Sequence, residues 1–328
     1  MSESDSTFFE DIDGAKPIFD NFAFVLHLSR LAGGEEFEII PGHVLRHATP
    51  DEIFIIKELL SHHGGSTLAG LSSPFEFLLG PQWKMTPLPR DEWRYFVIGF
   101  QGPPNSVLRI ENAFCLAGME FRILFTVLRH HASKPTEFTE WFYSARLPQM
   151  LEESQKWDRP FCEVSAADIE RIATLLRQLQ DHDQNQLQML RITNQLLSLE
   201  ALPAPPVSES RFLGYFGILE SLLTHRPNPS DPYDSITRQV KKKLALLDHR
   251  WSTPLDYDAF GESKSETVWS KMYAYRSCLA HGETPDFSGE LKILRNADEA
   301  LKLLRSAVKA VARQALVEPR LIADLRDC

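Results

Sequence analysis

The pattern of apolar and polar positions changes character along the chain. The first half alternates short apolar runs with turn residues, whereas the second repeats the spacing of amphipathic helices. FAFVLHLS at 22–29 and EFEII at 36–40 are rich in aromatic or β-branched residues and predict strands. A helix start follows, with Thr49 as cap, Pro50 at the first helical position and Glu52 as capping-box partner. That helix runs through IFIIKELLSHH to Gly64-Gly65, where a left-handed cap costs little. After a Gly/Pro/Ser-rich passage to about Pro89, EWRYFVIGF at 92–100 is the best strand candidate of this half. Within 106–131, RIENAFCLAG reads as helix and RILFTVL fits a strand, and periodicity does not decide between them. Residues 1–20 read as a loose acidic tail, and 21–160 as an α+β domain.

From Ser165 onward the pattern is helical. Ser165 and Asp168 open one helix, a second covers roughly 185–200, and the Pro-rich link 202–206 ends it. A third, about 209–224, buries Phe212, Phe216, Leu219 and Leu223. A fourth spans about 234–249. A fifth, about 265–281, carries Val268, Met272, Tyr275 and Leu279 on one face. A sixth begins at Asn296, with Glu299 three residues on, and buries Ala300, Leu304, Val308 and Val311. A short last helix follows Pro319. Residues 161–328 are therefore expected to form an all-α bundle behind the α+β domain.

Composition changes this picture little. With 43% hydrophobic and 24% charged residues, the chain has ample material for a core, and no apolar run is long enough to span a membrane. The acidic start does not resemble a secretory signal, and four widely spaced cysteines match no disulfide or zinc spacing. The expected setting is the cytoplasm, with reduced thiols and no cofactor or metal. Charge is more informative. The net −10 argues against a sequence-blind nucleic-acid coat, yet residues 1–160 hold 14 basic and 22 acidic side chains. The remainder is nearly neutral, so an anion-binding patch belongs in the helical half.

One stretch of that half carries candidate chemistry: KMYAYRSCLAHGETPDF, 271–287. Cleaving RNA without metal takes a base for the 2′-hydroxyl, an acid for the leaving oxygen and a cation for the phosphorane. Histidine suits the first two roles and arginine the third. Arg276 and His281 stand about 140° apart on a continuous helix, so they converge only if the helix ends near Gly282 or a second protomer completes the site. The spacing alone is uninformative. With 22 arginines and 11 histidines, about two matches are expected by chance. Arg177 and His182 form another. Arg238, Lys241, Lys242, Lys243, His249 and Arg250 form a basic group that suits an RNA backbone or simply a solvated helix face. The pairs His62-His63 and His130-His131 have no carboxylate or cysteine at ligand spacing, which disfavours metal. No phosphate-binding glycine loop and no nucleophile elbow occurs.

ITNQLLSLEA, FLGYFGILESLL at 212–223, a charged helix ending KLALLDHR and MYAYRSCLAHG at 272–282 occur in this order. Together they resemble the Apea-like branch of the HEPN family over roughly residues 165–316, about half the chain. The resemblance implies a small all-helical bundle, frequently dimeric, and a metal-independent endoribonuclease with a defence or toxin-like role. On it, Arg276 stabilises the phosphate and His281 transfers protons. Ser277 binds the scissile phosphate or orients His281, and Glu220 partners Arg276. Single-stranded RNA would be the substrate, with Arg238 and Lys241–Lys243 tracking its backbone. The 21–160 region would be an accessory or sensor domain for a regulatory partner. The alternative is a non-catalytic interaction or nucleotide-binding module of the same family.

Overall fold

The computed structural model describes residues 21–26, 28–64, 73–79, 84–119, 122–129, 134, 136–143, 162–180, 187–201, 208–231 and 234–328. The expected acidic tail at 1–20, the Pro-rich link at 202–206, His130-His131 and His182 lie outside them, as do the side chains of His62 and His63. Strands β1 (Asn21–Leu26), β2 (Leu28–Ala32), β3 (Glu36–Ile40) and β4 (His43–His47) come first. Helices α1 (Pro50–Gly64) and α2 (Ser73–Glu76) precede β5 (Phe77–Leu79), β6 (Met85–Pro87) and β7 (Phe96–Phe100). Then come α3 (Asn105–Leu116), β8 (Arg122–Leu128), β9 (Glu140–Tyr143) and β10 (Cys162–Ser165).

Six strands form one antiparallel sheet in the order β3-β4-β7-β1-β8-β9. Its centre is β1, all of whose residues are buried. Alternate side chains of β1 serve opposite faces, as the two-residue period of a strand requires. Phe22, Phe24 and Leu26 join one core, and Ala23 and Val25 join the other. A strand buried on both faces reads as a continuous apolar run, which is why NFAFVL and RILFTVL show no polar alternation. That also resolves the ambiguity at 106–131, which contains both a helix and a strand.

Ile55, Ile56, Leu59 and Leu60 of α1 cover the first face. Its capping box forms in full: Glu52 accepts from the Thr49 amide at 2.8 Å, and Thr49 Oγ1 accepts from the Glu52 amide at 3.3 Å. The second face is covered by α3 and by α4 (Ala166–Gln180), whose Ile169, Ile172 and Leu176 point into the core. The Ser165–Asp168 cap of α4 also closes both ways.

A helical region follows, with α5 (Leu187–Ala201), α6 (Glu209–Leu223), α7 (Ile236–Arg250), α8 (Ser265–Ala280), α9 (Ala297–Val317) and α10 (Pro319–Asp327). All twelve residues expected on the buried stripes of α6, α8 and α9 are buried. Asn296 caps α9 by accepting from the Glu299 amide at 2.9 Å, but the Glu299 carboxylate turns to Lys302 instead of closing a box. The helical core is continuous with the second face of the sheet, so residues on both sides of position 160 share one apolar interior. Among the described residues no helix is long and apolar enough to cross a membrane.

Candidate functional site

Aromatic packing sets the geometry between α6 and α8. Phe212 and Tyr275 pack with ring centroids 4.4 Å apart, and Phe216 meets Tyr273 edge-on at 6.1 Å. One turn beyond Phe216 this brings Glu220 against Arg276, with Arg276 Nη2 3.5 Å from Glu220 Oε2. The guanidinium also lies 5.8 Å from the centroid of the Tyr273 ring, one turn back on its own helix. Arg276 is partly exposed and Glu220 mostly covered. Glu220 Oε1 is shielded from solvent and meets no hydrogen-bond partner among the described residues. Burial pushes the Glu220 carboxyl above its ordinary value, and Arg276 offsets only part of that. The carboxylate therefore holds the arginine loosely. A long contact of this kind leaves most of the guanidinium's donors free for another anion.

The end of α8 is a glycine stop, as the sequence suggests. Gly282 adopts φ +71°, its amide donates to the Leu279 carbonyl at 3.2 Å, and the Glu283 amide donates to the Cys278 carbonyl at 3.0 Å. These two bonds are the Schellman pattern, which a left-handed residue makes possible. His281 caps the helix with φ −94° and ψ 0°, its amide donating to the Ser277 and Cys278 carbonyls. Its ring is exposed and makes no hydrogen bond or ion pair to a described residue. Ser277 lies half-buried, one turn before it.

Arg276 and Glu220 thus meet at the α6–α8 contact, Ser277 follows Arg276 on α8, and His281 stands at the end of that helix. No hydrogen bond joins Arg276 to His281 within the chain. Near-helical backbone at His281 preserves the angular offset between the two.

The basic group disperses on folding. Lys243 is buried and donates to the Arg326 carbonyl at 3.3 Å, securing α10. Burial lowers its pKa. Lys241 donates to Ser270 on α8 at 2.8 Å, and Arg250 is held by Glu318. Arg238, Lys242, His249 and Arg250 occupy exposed positions, so an RNA track along α7 reduces to these. The second Arg–His pair is represented by Arg177 alone, whose guanidinium bonds back to Thr174 on its own helix.

A buried polar centre escapes the sequence reading. Glu200 at the end of α5 accepts from Arg305 at 2.7 and 2.8 Å and from the Tyr215 hydroxyl at 2.7 Å. Lys309 and Arg122 each approach it at 3.4 Å. Burial opposes the charge on Glu200, but Lys309, Arg305 and Arg122 together hold its pKa well below the usual carboxylate range. The available signal was Lys309 within AVKAVA, a lysine on a stripe that is otherwise apolar. Among the described residues no group of three or more His, Cys, Asp or Glu side chains is arranged to hold a metal ion. In comparisons with known proteins, no family model, no curated protein and no solved structure matches the chain.

Proposed function

We propose that the helical region is a metal-independent endoribonuclease of the HEPN type, with a defence or toxin-like role, whose active site is completed when two copies pair. One arrangement carries this reading: an arginine loosely held by a covered glutamate, and on the same helix, at its glycine-terminated end, an exposed histidine with no partner among the described residues. His281 takes the 2′-hydroxyl proton as the oxygen attacks phosphorus. Arg276 neutralises the charge that accumulates on the phosphorane oxygens, with the Ser277 hydroxyl as a further donor. The 5′-oxygen leaves with a proton supplied by an imidazolium, for which the second copy's His281 is the candidate. The products are a 2′,3′-cyclic phosphate and a 5′-hydroxyl. Glu220 is a positioning residue, acting only through Arg276.

Purified protein incubated with single-stranded RNA in EDTA is expected to release cyclic-phosphate ends. His281→Ala and Arg276→Ala should each abolish cleavage while leaving the circular dichroism spectrum unchanged. An inactive wild type, or His281→Ala cutting at the wild-type rate, would refute the assignment. The separation of Arg276 from His281 within a chain favours a second reading, a non-catalytic helical interaction module in which Arg276–Glu220 ties α6 to α8. On that reading Arg276→Ala lowers thermal stability as much as any biological effect.

A further inference from the structure

A groove of about 820 Å³ runs along the seam where α4, from beside the sheet, meets the helical region. Its walls are α4, the C-terminal half of α9 and the turn that follows α7. The volume lies within the range of small-molecule sites, roughly 300–1,000 Å³. Two features of its lining are unusual.

The first is Arg313. Its guanidinium is largely covered and donates to the Leu116 carbonyl, and among the described residues no carboxylate pairs with it. Burial, with neighbouring Arg171 adding to it, pulls its pKa below the ordinary arginine range. A desolvated cation with a second guanidinium nearby is favourable only when something anionic offsets it. Arg171 lies exposed on α4 and donates to Asp168 at 2.7 Å, leaving other N–H groups to face the groove. Two carboxylates also line the groove, Glu170 and Glu318, and Glu318 is engaged by Arg250 at 2.8 and 3.0 Å.

The second is a pair of unmatched polar atoms on lining residues. Gln178 Oε1, an acceptor, and Trp251 Nε1, a donor, are both shielded from solvent and meet no hydrogen-bond partner among the described residues. Buried groups of this kind are rarely left unmatched. An inorganic anion satisfies the arginines but leaves most of the groove unfilled.

We propose that this groove binds a small organic phosphate, its phosphate held by Arg313 and Arg171 and its organic part lying against Trp251 and Gln178. The ligand would span α4 and α9 and so stabilise the seam. The assignment uses none of the residues placed in the nuclease site and stands or falls separately from it.

The test is isothermal titration and thermal shift on the full chain. The probes are inorganic phosphate, glucose 6-phosphate and adenosine monophosphate, with glucose and adenosine as unphosphorylated controls. At least one organic phosphate should bind more tightly than inorganic phosphate and raise the melting temperature, and its affinity should fall with added salt. Arg313→Met keeps the stem packed and removes the charge, so it should weaken binding about 10- to 100-fold. Trp251→Phe should weaken it less. Should Arg313→Met fail to fold, Arg171→Gln, at an exposed position, carries the same test. The proposal is overturned if no organic phosphate binds, if inorganic phosphate or the unphosphorylated controls bind as tightly, or if both arginine variants retain full affinity.

Discussion

Replacing Glu200 by Gln is the most exacting test of how the two halves are joined. Gln keeps the shape of the side chain and an oxygen to accept from Tyr215, but it removes the charge that Arg122, Arg305 and Lys309 share. Glu200 is 3% exposed and Lys309 4%, so water does little to screen the cations left behind. Removing one partner of such a buried group typically costs about 3–5 kcal/mol. For a chain of this size that corresponds to a fall in melting temperature on the order of 10 °C. Urea unfolding followed by circular dichroism at neutral pH measures it. The sign of the pH dependence is a second check. The folded pKa of Glu200 is depressed, so its contribution is present above the unfolded carboxylate value, about 4.3, and is lost as pH falls through the folded value. The gap between wild type and Glu200→Gln should therefore narrow at strongly acid pH. Combining Glu200→Met with Lys309→Met should recover only the part of the loss due to Lys309, because Arg122 and Arg305 still lack the carboxylate. A cost under about 1 kcal/mol for Glu200→Gln, well short of the range for breaking a buried pair, would refute the reasoning.

Other perturbations probe single elements. Gly282→Ala puts a Cβ on a residue at φ +71° and should cost about 1 kcal/mol by thermal melting. If the Schellman turn sets the position of His281, RNA cleavage should fall further than that loss explains. Thr49→Ala should cost about 1 kcal/mol through its cap. Glu52→Ala should cost several times more, since it also removes the carboxylate that accepts from Arg46 at 2.7 and 2.8 Å. Equal melting temperatures for the two variants would contradict this. The raised pKa of Glu220 has the opposite sign to that of Glu200: its contribution is present below the unfolded value and is lost as pH rises through the folded one. The stability of the wild type relative to Glu220→Gln should therefore decline from about pH 4 towards neutrality. A relative stability that rises over that interval would show that Arg276, not burial, dominates at this carboxyl.

Local chemistry was legible where one residue type determines one backbone outcome. Thr49-Pro50 with Glu52, Ser165 with Asp168, and His281-Gly282 each became the expected helix end. Helix stripes were legible for the same reason, because a one-sided core imposes a 3.6-residue period. The central strands were harder. A core on both faces erases the polar alternation that would have marked RILFTVL as a strand. β4 was missed because HVLRH places charged and apolar side chains together beside a turn. Pairwise charge relations were not legible at all. Lys241, Lys242 and Lys243 are adjacent in sequence, yet one bonds across to α8, one is exposed and one is buried beneath α10. Successive helix positions turn about 100° apart, so a run of like charges is a run of different environments.

The same geometry explains why the change of texture near residue 160 is not a change of core. A strand-rich segment followed by helices reads as two units when each pattern is considered alone. The helix at the transition, however, has two obligations: Ile169, Ile172 and Leu176 of α4 seal the sheet, while its other side forms a wall of the groove against α9. Arg122 of β8 reaches Glu200 of α5, and Arg313 of α9 reaches the Leu116 carbonyl that ends α3. Each of these contacts satisfies a polar group that would otherwise be costly to bury, and each requires residues from both halves. The loosely held Arg276, by contrast, lies within the helical region, with a long ion pair and an acceptor left unmatched. The contacts that join the two halves each match a donor with an acceptor, whereas at Glu220, as at Gln178 and Trp251 in the groove, a covered polar atom has no partner among the described residues.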